Sequence, residues 1–95
     1  MATTIDGDGE IARGQRARAL LDDPLVVAAL AAIERDCVEE WRRTPARDIE
    51  ARERLWLMLK LAERFRRHFE SHVESGRLAG ERVASIERER RFRLG

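Results

Sequence analysis

The sequence predicts an all-α protein built on an antiparallel helical hairpin. Apolar residues recur every three or four positions, as they do along one face of a helix. The steps Asp23-Pro24 and Thr44-Pro45 place a capping side chain directly before a proline, which is a typical start signal for a helix. No segment alternates apolar and polar residues in the manner of a half-exposed strand.

The chain begins with a tail and a short helix. Residues 1–10 carry two glycines and three acids without apolar periodicity, and we predict a mobile acidic tail there. A single helical domain is predicted over residues 11–93. Its first helix, at about 11–21, is weakly amphipathic, and Gly14 weakens it by about 1 kcal/mol relative to alanine.

Two longer helices follow the Asp22-Asp23-Pro24 segment. The second helix is predicted at 24–43 and the third at 45–75, and the short link between them makes them antiparallel neighbours. Gly76 is placed at the C′ position that ends the third helix. A last helix is predicted at about 78–92. The apolar stripe of the second helix consists of Val26, Leu30, Ile33, Cys37 and Trp41.

The hairpin lacks enough apolar partners of its own. The third helix, about 45 Å long, extends past the second, about 30 Å long, and its overhang still carries large apolar residues. Seven of the eight residues in 55–62 are apolar, so one neighbouring helix cannot cover that segment. We therefore expect a small bundle completed by oligomerisation, as a dimer or higher; the alternative is a self-contained bundle in which the last helix folds back. The expected oligomer or partner interface comprises Leu55, Trp56, Met58, Leu59, Phe65, Phe69 and Val73.

No residue pattern indicates catalysis, a cofactor or a metal, and we expect no enzyme. His68 and His72 stand at the i,i+4 spacing that can chelate zinc, but their helix face offers no third ligand, so an exposed or interfacial pair is favoured. Cys37 lies in an apolar stripe without a cationic neighbour and is interpreted as a buried structural thiol. There is neither a glycine-rich phosphate loop nor a recognisable nucleophile–histidine pair.

The charge balance argues against a dedicated nucleic-acid-binding protein. The chain has 19 basic and 18 acidic residues, a net charge of +1, whereas such proteins usually show a basic excess. Nucleic acid remains the less favoured alternative, with a terminal cluster as the candidate contact to phosphate or to an acidic partner. That cluster consists of Arg88, Arg90, Arg91 and Arg93.

The composition also suggests where the protein works. A single cysteine indicates a reducing compartment, no apolar run reaches the length of a membrane span, and the acidic amino terminus is unlike a signal peptide. We expect a soluble protein of the cytoplasm.

One set of residues and short motifs is spread over about two-thirds of the chain: Leu21-Asp22-Asp23-Pro24, Trp41, Thr44, Asp48, Arg52-Glu53, Leu55-Trp56, Gly76 and Leu78-Ala79. In these features the chain resembles a family of small uncharacterised helical proteins from phages and prophages of GC-rich, alphaproteobacterial-type hosts. The resemblance implies a viral protein located in the host cytoplasm or the virion. The expected function is non-enzymatic protein–protein interaction, as a virion-assembly or DNA-packaging accessory. The alternative is an inhibitor of a host factor or defence system, including one that sequesters a ligand.

Overall fold

The computed structural model describes residues 7–94, and within this range every regular element is an α-helix. The helices are α1 (Gly7–Asp22), α2 (Pro24–Arg43) and α3 (Ile49–Leu94). The all-α prediction is confirmed. Residues 1–6 of the predicted tail lie outside the described residues. Residues 7–10 form the first turn of α1 instead, where Asp8 and Glu10 suit the positive end of the helix dipole.

The start of α2 follows the sequence signal. The Asp23 carboxylate accepts a hydrogen bond of 2.8 Å from the Leu25 amide, and Pro24 occupies the first helical position, where no amide hydrogen is needed. At the other end, the amide of Thr44 donates to the Trp41 carbonyl. The predicted bounds 24–43 are those observed, since both ends carry residues that cap α2 locally.

The start of α3 differs from the prediction by four residues. Thr44 does not cap the following helix: its hydroxyl donates a 2.7 Å hydrogen bond back to the Glu40 carbonyl and so closes α2. Asp48 takes the capping role, because its carboxylate accepts from the Ala51 amide and its carbonyl accepts from the Arg52 amide. Pro45 consequently lies in the connecting turn, and α3 begins at Ile49.

The predicted break at Gly76 is wrong. α3 is one helix of 46 residues that passes through Gly76, and no described glycine has a positive φ, the conformation that a C′ glycine would adopt. The predicted helices 45–75 and 78–92 are therefore parts of the same element. Hence the last segment does not fold back over Phe65, Phe69 and Val73, as the self-contained alternative required.

The chain divides into two compact units. Unit 1 comprises Met1–Leu20 and Phe69–Gly95, and its described part is α1 packed against the second part of α3. Unit 2, Leu21–His68, is α2 packed against the first part of α3. Within unit 2 the two helices run in opposite directions, because Trp41 lies beside Arg52 while Glu34 lies beside Arg66.

Candidate interaction surfaces

The core of unit 2 is thin. Its buried residues are Leu30 and Cys37 from α2 and Leu55 and Ala62 from α3. They lie along the line where the two helices touch. Two helices packed side by side form a single layer, which has two faces. Each face of unit 2 carries an apolar groove.

The first groove is lined only by apolar side chains, and we refer to it as the apolar groove. It has a volume of about 490 Å³. Large side chains along it are well exposed, with 67% of Leu61 and 49% of Phe65 accessible to solvent. Its lining residues are Val26, Ala29, Leu30, Ile33, Met58, Leu61, Ala62 and Phe65.

The second groove, of about 280 Å³, carries both tryptophans of the chain, and we call it the tryptophan groove. Its lining residues are Cys37, Val38, Trp41, Leu55, Trp56 and Leu59. At about 100° per residue, Trp41 and Trp56 fall on the opposite side of the buried line from Ile33 and Phe65. The two grooves therefore lie on opposite faces of unit 2.

Charged side chains cover much of the face that holds the tryptophan groove. The guanidinium of Arg52 lies 4.1 Å from the centroid of the Trp41 ring, and the ammonium of Lys60 lies 5.4 Å from that of Trp56. Both are cation–π contacts, in which the ring face attracts the cation. Arg52 also donates to the Thr44 carbonyl at 3.4 Å. On the same side of the buried line, Arg66 and Glu34 form an ion pair of 2.8 Å.

The structure distributes the predicted interface residues over three places. Met58 and Phe65 line the apolar groove, whereas Trp56, Leu59 and the buried Leu55 line the tryptophan groove. Phe69 and Val73 belong to unit 1 and are half-buried beside α1. Phe69 adjoins Ala17 and Leu20, while Val73 adjoins Ile11 and Gly14.

The interface predicted from the sequence contains no residue of α2, although α2 lines one flank of the exposed apolar groove. Val26 and Ile33 were assigned to a core stripe, but Ile33 is 43% exposed and both line the apolar groove. Leu61 lies in the segment 55–62 that was expected to need more than one neighbour, although it was not named among the expected interface residues. The available signal was the run 25–33, nine consecutive apolar residues that one neighbouring helix cannot cover.

Unit 1 is built on small residues. A Cβ atom placed on Gly14 would lie 2.9 Å from the His72 carbonyl oxygen and 3.0 Å from the Gly76 Cα. A Cβ on Gly76 would lie 3.0 Å from the Glu10 carbonyl oxygen. The backbones of α1 and α3 therefore touch at this crossing, and Gly76 is needed here for close approach rather than to end a helix.

The histidine pair is divided between the two units, with His68 the last residue of unit 2 and His72 in unit 1. His68 is exposed, whereas His72 is half-buried in a shallow depression that it shares with Arg13, Arg16 and Phe69. Residues 7–94 contain no group of three or more potential metal ligands. The free thiol of Cys37 is 5% exposed, as expected for a structural cysteine.

The terminal arginine cluster occupies the last two turns of α3. Arg88, Arg90, Arg91 and Arg93 are all exposed, and Arg91 and Arg93 stand in the last turn. Cations there stabilise the negative end of the helix dipole without any ligand. Among the ion pairs of the described residues, none includes a member of this cluster.

Comparison with protein-family models, curated proteins and solved structures finds no match to this chain. No helix within residues 7–94 combines the length and the apolar character that crossing a membrane requires.

Proposed function

We propose that this chain is a non-enzymatic protein that acts by protein–protein interaction and self-assembly. One observation carries the proposal: in the run of nine apolar residues 25–33, only Leu30 is buried. Burial of apolar surface is worth about 25 cal/mol per Å², so covering this run and the grooves beside it would favour association. Large exposed apolar patches usually mark interaction sites.

In this proposal, α2 and the first part of α3 form a helical hairpin that supplies half of a larger bundle. Four-helix bundles bury apolar stripes from every helix around one core, whereas two helices alone leave each stripe open on its outer side. A second chain placed on one face of unit 2 would provide the missing layer. The protein would then be stable as an oligomer, with a dimer as the simplest form.

We further infer a role as a virion-assembly or DNA-packaging accessory. The resemblance to small phage proteins supports a viral origin, and symmetric self-association suits a component of an assembling particle. A dimeric inhibitor of a host factor would need the same surface. Immunodetection separates these roles, because an assembly component is expected in purified particles or their precursors, whereas an inhibitor is expected only in the infected-cell lysate, bound to a host protein.

The self-assembly proposal is tested by absolute mass. Light scattering after size exclusion, over protein concentrations from about 1 to 100 µM, is expected to give a multiple of the 11.0 kDa chain mass. A single-chain mass throughout the range would contradict self-assembly.

The same chromatographic peak tests the nucleic-acid alternative. We expect an absorbance ratio at 260 and 280 nm that is typical of protein. A raised ratio that falls as salt is added would instead favour phosphate binding by the terminal arginine cluster. Replacing Arg90 and Arg91 by glutamine should then restore the protein-like ratio.

A further inference from the structure

The two flanks of the apolar groove differ in how many large exposed side chains they carry. The α3 flank presents Met58, Leu61 and Phe65, which are 48%, 67% and 49% exposed. The α2 flank carries one large exposed side chain, Ile33 at 43%, beside the smaller Val26 and the exposed Ala29. A two-fold symmetric contact requires a patch that is complementary to itself, with each residue meeting its counterpart in reciprocal fashion. We call Met58, Leu61 and Phe65 the ridge of the groove, and the smaller Val26 and Ala29 its shelf. Across a two-fold axis the ridge of each copy can lie over the shelf of the other copy, so this patch meets the requirement.

Charged side chains indicate which of the two grooves a second copy could cover at the lower desolvation cost. Closing the tryptophan groove would desolvate the cations of Arg52 and Lys60 and the ion pair between Glu34 and Arg66. Removing charges from water costs more than a new contact usually returns. Neither lining contains a charged residue, but the cations of Arg52 and Lys60 lie over the rings of the tryptophan groove, and no such cation–π contact is found in the described residues at the apolar groove.

The exposed area of the apolar groove is at the low end of what a specific dimer buries. Ile33, Met58, Leu61 and Phe65 are between 43% and 67% exposed. With the neighbouring smaller residues they present on the order of 500 Å² per chain, taking about 200 Å² for a large side chain. If all of this area became buried, two copies together would bury about 1,000 Å², just below the usual range of about 1,200–2,000 Å² for specific protein–protein interfaces.

We propose that the apolar groove binds the same groove of a second copy across a two-fold axis. Each ridge of Met58, Leu61 and Phe65 would then lie over the Val26 and Ala29 flank of the other chain. The four helices would enclose one apolar core, with both tryptophan grooves on the outside. This inference rests on the proposed self-assembly and adds which face associates and with which partner.

The test compares one carboxylate on each face. Leu61→Glu places it in the apolar groove, and Trp56→Glu places it in the tryptophan groove at a position 54% exposed. Neither change should unfold α3, because at helical spacing the first new carboxylate could pair with Arg64 and the second with Lys60. Circular dichroism checks helicity, and light scattering over a concentration series gives the dissociation constant of the wild-type chain and both variants.

We expect a wild-type dimer, a Leu61→Glu chain whose dimer dissociation constant is raised on the order of 100-fold, and a Trp56→Glu chain that still dimerises like the wild type. A wild-type dimer that survives Leu61→Glu would overturn the groove assignment and leave self-assembly standing. Loss of the dimer in Trp56→Glu, alone or together with Leu61→Glu, would also overturn it, since only one face should matter. A monomeric wild type would overturn both proposals.

Discussion

In unit 1 the helices meet through backbone, with Gly14 against Gly76 and with Ala79 fully buried nearby. In unit 2 they meet through larger side chains, mainly Leu30 and Leu55, while other large apolar residues around that contact stay exposed. The helix contact of unit 1 therefore requires that side-chain atoms be absent at the crossing, whereas the helix contact of unit 2 is made by large side chains.

This difference explains why the proposed partner-binding surface lies in unit 2. Small residues let two helices approach closely, and the contact is complete once the backbones touch. Large residues fill the space between two helices and also project beyond it, so a layer of two helices exposes what it cannot enclose. Adding side-chain atoms at the helix crossing of unit 1 should therefore lower the free energy of unfolding, and removing buried side-chain atoms from unit 2 should do the same.

The largest effect is expected from removing atoms in unit 2. Leu55 is 8% exposed, and Leu55→Ala should lower the free energy of unfolding by about 2–4 kcal/mol through lost burial and the cavity left behind. The matched control is Leu57→Ala two residues away, where the side chain is 56% exposed and the expected change is within about 0.5 kcal/mol. Urea unfolding followed by circular dichroism at a fixed protein concentration measures both. Equal losses of unfolding free energy in the two variants would contradict the assignment of Leu55 as buried and Leu57 as exposed.

Adding one methyl group to unit 1 should reverse the usual effect of replacing glycine in a helix. Alanine normally stabilises a helix by about 1 kcal/mol relative to glycine. At Gly76 the new Cβ would lie 3.0 Å from two backbone atoms of α1, so the helices must separate, and Gly76→Ala should give a net loss of about 1–2 kcal/mol.

Gly80 is the matched control, one turn further along α3. A Cβ there meets no atom within 4 Å, so Gly80→Ala should raise the free energy of unfolding by about 0.5–1 kcal/mol. Opposite signs for the two substitutions would support the backbone contact. Stabilisation by both would contradict it.

The fold class and α2 could be predicted because their signals are local. Asp23 and Pro24 act within one turn of the helix that they start. Thr44 and Pro45 gave an equally local signal, yet Thr44 closes the preceding helix and Asp48 starts the next. Both are good capping residues, and the sequence alone does not indicate which helix end a hydroxyl will serve.

Gly76 could not be interpreted correctly without its partner. A glycine between two helical patterns fits a C′ position, and the same residue fits a close helix crossing. Gly14, 62 positions earlier, decides between them, and nothing in the local pattern connects the two. The same limit applies to the predicted interface: periodicity grouped Met58, Phe65, Phe69 and Val73 by sequence, but α1 lies beside the last two.

The smallest effect concerns the polar surface of unit 1, where Arg77 binds two carboxylates. It donates to Glu74 at 2.8 Å and to Glu81 at 2.6 Å, and the hydrogen bond from Arg77 holds the pKa of Glu74 below its ordinary value. A carboxyl group whose pKa is lowered in the folded state stabilises the fold at pH values above its unfolded pKa. This contribution is lost as the pH falls through the lower, folded pKa.

Arg77→Gln should therefore raise the pKa of Glu74 towards its ordinary value, while Arg64→Gln, elsewhere on α3, should leave it unchanged. The side-chain carboxyl carbon of Glu74, followed by NMR across the acid range, measures this directly. Added salt should shrink the difference between wild type and Arg77→Gln, because both partners are exposed and ions screen exposed pairs. A Glu74 titration unaffected by Arg77→Gln would mean that the pair does not persist in solution. Arg77 would then contribute nothing to the stability of α3, the helix that carries all three of these side chains.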